Sequence, residues 1–170
     1  MPDSLPVCNI PSMGATSVRD QTERRYQEPL SAQFSVFLDN RVGKLLELIS
    51  LFDRNELPVV ALNVIDATDH AVIRLVTTDA GATRRLLAER RIAFSESDVI
   101  IVSLSRSQGL ADLCRCLLAA ELSIHYAYPL MTRPYGAAAI AVHVEDQALA
   151  SEVLRRKQFR VLGEGELLDP

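Results

Sequence analysis

Two segments decide the fold of this chain: DAGATRRLLAERRIAF at residues 79–94 and DQALASEVLRRKQFRV at residues 146–161. Each begins with an aspartate, a residue that favours the N-cap position of a helix. The two aspartates lie 67 positions apart, and apolar positions that follow them recur at the same interval, as Leu87 and Leu154 do. Because the cap and the apolar spacing agree and each segment carries a basic cluster near the end of its helix, we infer an internal duplication.

Hydrophobic periodicity predicts the same order of elements in both copies: strand, helix, strand, strand, helix, strand. This order is the split βαβ, ferredoxin-like arrangement. In the first copy, strands are expected at 33–38, 59–65, 71–77 and 92–96, with helices at 43–56 and 80–91. In the second copy, strands are expected at 99–104, 123–131, 137–144 and 159–162, with the last helix ending at 157.

We therefore predict an α+β fold of two ferredoxin-like βαββαβ units in tandem, with antiparallel sheets and helices on one face. The units are expected at residues 32–98 and 99–170. Residues 1–31 hold half of the 8 prolines and show no sustained period, so they are expected to form a flexible tail. A unit of roughly 65–70 residues has a marginal core and leaves one sheet face uncovered, so the duplication predicts an interface between the units.

Composition excludes several classes of function. The net charge of -4 gives no electrostatic reason to expect nucleic acid. No segment has the pattern of a signal peptide or the length of a membrane span. The spacing of Cys8, Cys114 and Cys116 suits neither a disulfide framework nor a zinc site, which favours a reduced, cytoplasmic setting. His125 and His143 are expected to face each other on adjacent strands, but they lack a third metal ligand.

No catalytic residues are predicted. The serines have no G-x-S-x-G context, and neither a Walker loop nor a G-x-G-x-x-G motif is present. Clustered carboxylates for acid–base chemistry are missing as well. We therefore expect no enzyme activity, no cofactor and no bound metal.

Arg74 and a group of tyrosines allow more than one interpretation. By alternation, Arg74 shares a strand face with Val72 and Val76, so it either lies in solvent or contacts a partner or an anion. A stacking patch for nucleic acid and a packed interface are both compatible with the second group: Tyr126, Tyr128 and Tyr135 with Arg133. The acidic composition favours the interface.

The turn after the first predicted strand reads Asn40-Arg41-Val42-Gly43-Lys44. Together with the duplicated βαββαβ order and the repeat length, it resembles the ACT domain family of small-molecule regulatory modules over residues 33–168. ACT domains often carry an Asn/Asp-Arg-Pro-Gly turn here, and this copy keeps Asn, Arg and Gly. The second copy, Ser105-Arg106-Ser107-Gln108-Gly109, matches less closely. Some tandem ACT proteins of similar length are labelled by analogy with the regulatory subunit of acetolactate synthase.

The resemblance implies a non-catalytic regulatory protein that binds an amino acid at an interface between ACT units, forms a homodimer and modulates a metabolic enzyme. Gly43 would let the backbone approach a ligand, and the start of the helix would favour a carboxylate. Asn40 could bond both the carboxylate and the ammonium group. The candidate ligand-binding residues are Asn40, Arg41, Val42, Gly43, Lys44, Pro58, Arg106, Gln108, Gly109 and Ser123.

Two alternatives follow from the same residues. ACT domains that bind amino acids often have Asn at the start of the second strand, where this chain has Pro58 and Ser123. Pro58 has no side-chain hydrogen bond to offer, so the chain could instead be a structural or interaction subunit without a ligand. In that case Asn40 would cap the helix and Gly43 would serve the turn alone.

Overall fold

The computed structural model describes residues 30–67 and 70–168. Of the predicted N-terminal tail, residues 1–29 lie outside the described residues. The first half contains β1 (Ser31–Asp39), α1 (Lys44–Arg54), β2 (Val59–Ala67), β3 (His70–Thr77) and α2 (Ala80–Glu89). The second half contains β4 (Phe94–Leu104), α3 (Leu110–Ala119), β5 (Ile124–Pro129), β6 (Ala138–Val144), α4 (Gln147–Arg156) and β7 (Arg160–Leu162).

Both predicted helix caps are confirmed. The side chain of Asp79 accepts a hydrogen bond from the backbone N–H of Ala82 at the start of α2. Asp146 accepts in the same way from Leu149 at the start of α4. The repeated segments therefore begin their helices with the same local interaction.

The strands form two ferredoxin-like sheets that share β4. The first has the order β2-β3-β1-β4, the second has the order β7-β4-β6-β5, and all neighbouring strands are antiparallel. The sequence predicts separate strands at 92–96 and 99–104, and this prediction is wrong, because β4 is continuous. Ser97 and Asp98, which are typical of a turn, are instead paired with Gln33 and Ala32 of β1. The boundary predicted between residues 98 and 99 consequently falls inside β4.

Helices α1 to α4 cover the outer faces of the two sheets, and the inner faces pack against each other. α1 and α2 bury the first core, which includes Phe34, Phe52 and Leu87. α3 and α4 bury the second core, which includes Ile100 and Leu154. A third cluster, the inter-unit interface, joins the inner faces: Val60, Ala61, Val76, Val99, Ile101, Tyr128, Ala139, Ala141, Leu162 and Leu167. The predicted interface between the units is thus confirmed.

Backbone contacts extend the inter-unit interface at one sheet edge. The N–H of Met131, beyond β5, donates to the carbonyl of Val60 in β2 at 2.8 Å. The C-terminal segment also reaches the first unit, where a carboxylate oxygen of Glu164 accepts from the backbone N–H of Ala80. These contacts tie together regions of the two units that are distant in sequence.

Two observations concern the cysteines and the helices. Cys114 is exposed on α3, whereas Cys116 is buried in the second core. Across residues 30–67 and 70–168, no helix has the combined length and apolar character needed to span a membrane.

Candidate functional site

The turn between β1 and α1 contains five of the ten candidate residues, at positions 40–44. Gly43 has a φ angle of +92°, in the left-handed region that glycine adopts without a side-chain clash. α1 begins directly after it, and no side chain caps its first turn. Residues 40–43 are exposed. The N–H of Lys44 donates to the carbonyl of Arg41 at 3.2 Å, so it is the N–H groups directly after it in α1 that are left to solvent or to an anion.

Asn40 does not cap α1, contrary to the purely structural interpretation of the turn. Its Nδ2 donates to Asp66 Oδ1 at 2.7 Å, near the end of β2. Lys44 pairs with Glu47 at 2.7 Å along α1. A cavity of about 200 Å³ lies beside this ion pair, lined by Leu38, Lys44, Glu47, Leu48, Leu51 and Ile92. The first turn thus presents an amide, a left-handed glycine and a lysine next to a small cavity.

The corresponding turn between β4 and α3 is closed by its own side chains. Gly109 donates its backbone N–H to Asp112 Oδ2 at 2.9 Å. The Oγ atom of Ser105 accepts from the N–H of Gln108 at 3.0 Å. Hydrogen bonding from Arg115, and then from the Gly109 N–H, lowers the pKa of Asp112. A carboxylate of the chain therefore already holds an amide that a ligand carboxylate would use.

Other donors surround the second turn. Arg106 is exposed, and Gln108 Nε2 donates to the carbonyl of Lys157 at 2.7 Å. An adjoining cavity of about 410 Å³ is lined by Ser107, Gln108, Asp112, Arg115, Cys116, Ala119, Lys157 and Phe159. A ligand in this cavity would meet the cationic side chains of Arg115 and Lys157 rather than free turn amides.

Two candidate residues, Pro58 and Ser123, directly precede β2 and β5, and each lies far from the turn of its own unit. β1 ends at Asp39, which pairs with His70 at the start of β3. Pro58 precedes β2, whose first residue pairs with Thr77 at the other end of β3. Ser123 is separated from the second turn in the same way, by the length of β6. Neither unit therefore assembles a turn and a strand start into one clamp by itself.

The inter-unit interface contains a polar network that the sequence does not point out. Gln33 of β1 is fully buried, and its Nε2 donates to Ser97 Oγ at 3.1 Å and to the Tyr126 hydroxyl at 2.9 Å. Its Oε1 accepts from the Tyr128 hydroxyl at 2.7 Å. Gln33 therefore joins strands of both units. The available signal was the polar side of β1, where Gln33 and Ser35 alternate with Phe34 and Val36.

We predict that the buried, hydrogen-bonded hydroxyl of Tyr128 makes the protein less stable at alkaline pH. Burial raises the pKa of Tyr128, with a smaller contribution from Tyr126. Above about pH 10, an unfolded chain releases this proton while the folded chain keeps it. The free energy of unfolding should therefore fall by up to about 1.4 kcal/mol per pH unit as the pH rises. Urea titrations between pH 9 and pH 11 should show a shallower decline in Tyr128→Phe, and equal slopes would contradict the assignment.

His125 and His143 lie near each other, with ring centroids 5.5 Å apart. A register shift places Tyr126, rather than His125, directly opposite His143. Their neighbourhood supplies no further ligand, since the described residues contain no group of three or more His, Cys, Asp or Glu side chains that could hold a metal. His143 Nδ1 instead lies 2.9 Å from the carbonyl oxygen of Asp98.

Known proteins share this architecture. A solved protein from Bacteroides thetaiotaomicron, BT0572, aligns with a TM-score of 0.74 at 23% identity, covering 82% of this chain and 96% of that chain. The ligand-free regulatory subunit of aspartate kinase from Thermus thermophilus aligns with a TM-score of 0.51 at 6% identity, covering 76% of this chain and 93% of that chain. At these identities the likeness concerns the fold alone.

Curated proteins give no significant match to the chain. A family model described as an ACT domain pair, however, matches residues 30–169. That match extends over both βαββαβ units and includes the shared strand β4. The chain therefore belongs to the family of ACT domain pairs.

Proposed function

We propose that the protein is a non-catalytic regulatory module that binds a free amino acid at the first turn, residues 40–44. The observation that carries the proposal is the contrast between the two turns. The N-terminus of α1 has no side-chain cap, whereas a carboxylate of Asp112 occupies the Gly109 amide before α3. The first turn thus offers the donors that the second turn has already used.

A second copy of the chain would complete this site. Val42 is fully exposed, and Leu46 is 70% exposed one turn along α1. Exposed apolar side chains beside the turn are typical of a surface that contacts another protein. Since Pro58 lies at the far end of its own sheet, a strand start near the turn has to come from another unit. We propose a homodimer in which a bound amino acid favours one arrangement of the units and so changes the activity of a partner enzyme.

A ligand screen tests the proposal on the full chain. Thermal unfolding is measured with each of the twenty amino acids, and calorimetry gives the Kd of every stabilising one. Asn40→Ala should weaken binding at least tenfold, because hydrogen bonds to charged groups contribute about 1.5–3 kcal/mol. Gly43→Ala should also weaken it, since alanine disfavours a φ angle of +92°.

The matched control is Asn55→Ala. Asn55 lies at the other end of α1, and its Nδ2 donates to a backbone carbonyl, that of Leu51, at 2.7 Å. This variant should bind the amino acid as the unmodified protein does. If Asn40→Ala and Asn55→Ala bind equally well, the ligand does not use the first turn. If none of the amino acids stabilises the intact protein, the ligand proposal is wrong.

A structural or interaction subunit is the second candidate. The bond between Asn40 and Asp66 favours it, because it gives the Asn40 amide a partner within the chain. Pro58, without a side-chain donor, favours it too. In this case the chain should co-purify with a larger enzyme, for which a thiamine-dependent synthase is the first choice by resemblance, and amino acids should not alter the complex. A cytoplasmic location remains part of both proposals.

A further inference from the structure

Among the described residues, two arginines lie over tyrosine rings, and one of them holds a carboxylate. The guanidinium carbon of Arg160 is 3.4 Å from the centroid of the Tyr135 ring. Its Nη2 lies 3.2 Å from Glu166 Oε1, and the Tyr135 hydroxyl donates to the same oxygen at 3.0 Å. A stacked guanidinium keeps its N–H groups in plane, where they match a planar carboxylate. This site shows how a tyrosine–arginine pair takes up a carboxylate.

The second pair has the same donors without the carboxylate. The guanidinium carbon of Arg74 is 3.6 Å from the centroid of the Tyr126 ring. The Nε atom of Arg74 is buried without a hydrogen-bond partner, and Arg74 forms no ion pair with any described residue. In the described part of the chain, the Tyr126 hydroxyl only accepts a hydrogen bond, from Gln33. Its own hydrogen is therefore available to an acceptor.

Further donors lie on both sides of Arg74 along the inner face of the first sheet. Arg74 is directly opposite Ser35 of β1 and Asn63 of β2, and Ser35 is opposite Ser95 of β4. We call Ser95, Ser35, Arg74 and Asn63 the polar row. Three of the four are partly buried. The polar row contains no carboxylate, so it could neutralise an anion but could not balance the ammonium group of an amino acid.

Most of the neighbouring residues on this face are apolar. Phe37, Val72 and Ile65 lie on one side of the polar row. Val76 and Ala61 lie on the other side, in line with Gln33 and Ser97, whose side chains are hydrogen-bonded to each other. A partly buried guanidinium among apolar neighbours loses hydration, and donors without acceptors are costly in such surroundings. An anion in the plane of the guanidinium would offset this loss.

We propose that Arg74 and Tyr126 form a binding site for the carboxylate of a small organic acid at the edge of the inter-unit interface. Arg74 supplies in-plane N–H groups from the first unit, and Tyr126 supplies its ring and hydroxyl from the second. Ser35 and Asn63 contribute additional donors. Because the two principal residues belong to different units, the acid bridges the units and stabilises their association. The site is separate from the first turn and does not depend on the function proposed for it.

Binding is measured by adding sodium propionate to the ¹⁵N-labelled full chain and following its amide NMR signals. The expected shifts cluster at Ser35, Asn63, Arg74 and Tyr126. Propionate has no ammonium group, so its binding is distinguishable from that of an amino acid at the first turn. Shifts confined to other parts of the chain, or an absence of shifts, would overturn the proposal. Equal affinity for inorganic phosphate would overturn the assignment to a carboxylate.

Substitutions identify the groups that bind. Arg74→Gln keeps much of the aliphatic stem and removes the charge, so it should weaken propionate binding at least tenfold. Tyr126→Phe retains the ring and should weaken binding several-fold. Arg160→Gln is the matched control. It removes the other arginine that stacks on a tyrosine, and the carboxylate partner of that arginine, Glu166, belongs to the chain itself. The affinity of this variant for propionate should be unchanged. Circular dichroism checks that each variant is folded. Equal affinity of Arg74→Gln and Arg160→Gln for propionate would refute the site.

Discussion

Replacement of Ile101 by alanine should lower the free energy of unfolding by about 2–5 kcal/mol. Ile101 is fully buried in the strand that the two sheets share. Its backbone pairs with Ala141 on one side and Leu162 on the other, and its side chain packs in the inter-unit interface. The substitution therefore removes contacts made by both units, and we expect them to continue to unfold together.

Urea denaturation followed by circular dichroism and by tyrosine fluorescence checks this result. Circular dichroism reports on both units. Three of the four tyrosines, at 126, 128 and 135, belong to the second unit, Tyr26 is replaced by phenylalanine for this measurement, and the chain has no tryptophan. The two curves should coincide in Ile101→Ala, as they should in the unmodified protein. Val64→Ala is the control, because Val64 is 48% exposed and its truncation should cost less than about 1 kcal/mol. Separate transitions would show that the units unfold independently.

Replacement of Gln33 by leucine should cost about 2–4 kcal/mol, even though leucine is apolar and has a similar volume. The substitution leaves the hydroxyl groups of Tyr128, Tyr126 and Ser97 without their partner. The Tyr128 hydroxyl is the critical one, since only 4% of this residue is exposed to water. A buried hydroxyl that loses its hydrogen bond costs about 1–3 kcal/mol.

A double-mutant cycle separates this cost from simple repacking. The combined variant Gln33→Leu/Tyr128→Phe should lose at least about 1 kcal/mol less than the sum of the two single losses, because phenylalanine leaves no hydroxyl to satisfy. Urea denaturation at pH 7 gives the four free energies. Strictly additive losses would mean that the bond between Gln33 and Tyr128 does not contribute to the stability of the interface.

The ACT family, the duplication and the element order could be predicted because they depend on local patterns. Asp79 and Asp146 begin equivalent helices, and their side chains make the same hydrogen bond to the backbone. The break predicted between strands at 92–96 and 99–104 is wrong, because Ser97 and Asp98 favour turns only when they are considered in isolation. Pairing with β1 satisfies the backbone there and overrides this local preference.

The two turns illustrate a similar limit at the candidate site. Gly43 and Gly109 occupy similar places in the two repeats, but Gly43 adopts a left-handed conformation and Gly109 an extended one. The side chain of Asp112 reaches back to Gly109, whereas no side chain caps the first turn. A sequence pattern identifies both turns, but which amides are already bonded depends on how the nearby side chains are oriented.

The described helices and most of the strands were predictable to within a few residues at their ends, because periodicity and capping act over neighbouring residues. Tertiary packing places β4 in both sheets, lets Gln33 link the two units and stacks Arg74 on Tyr126. Those contacts join residues far apart in the chain: Gln33 and Tyr128 are 95 positions apart. Their meeting depends on how the two inner faces pack, which a local pattern does not specify.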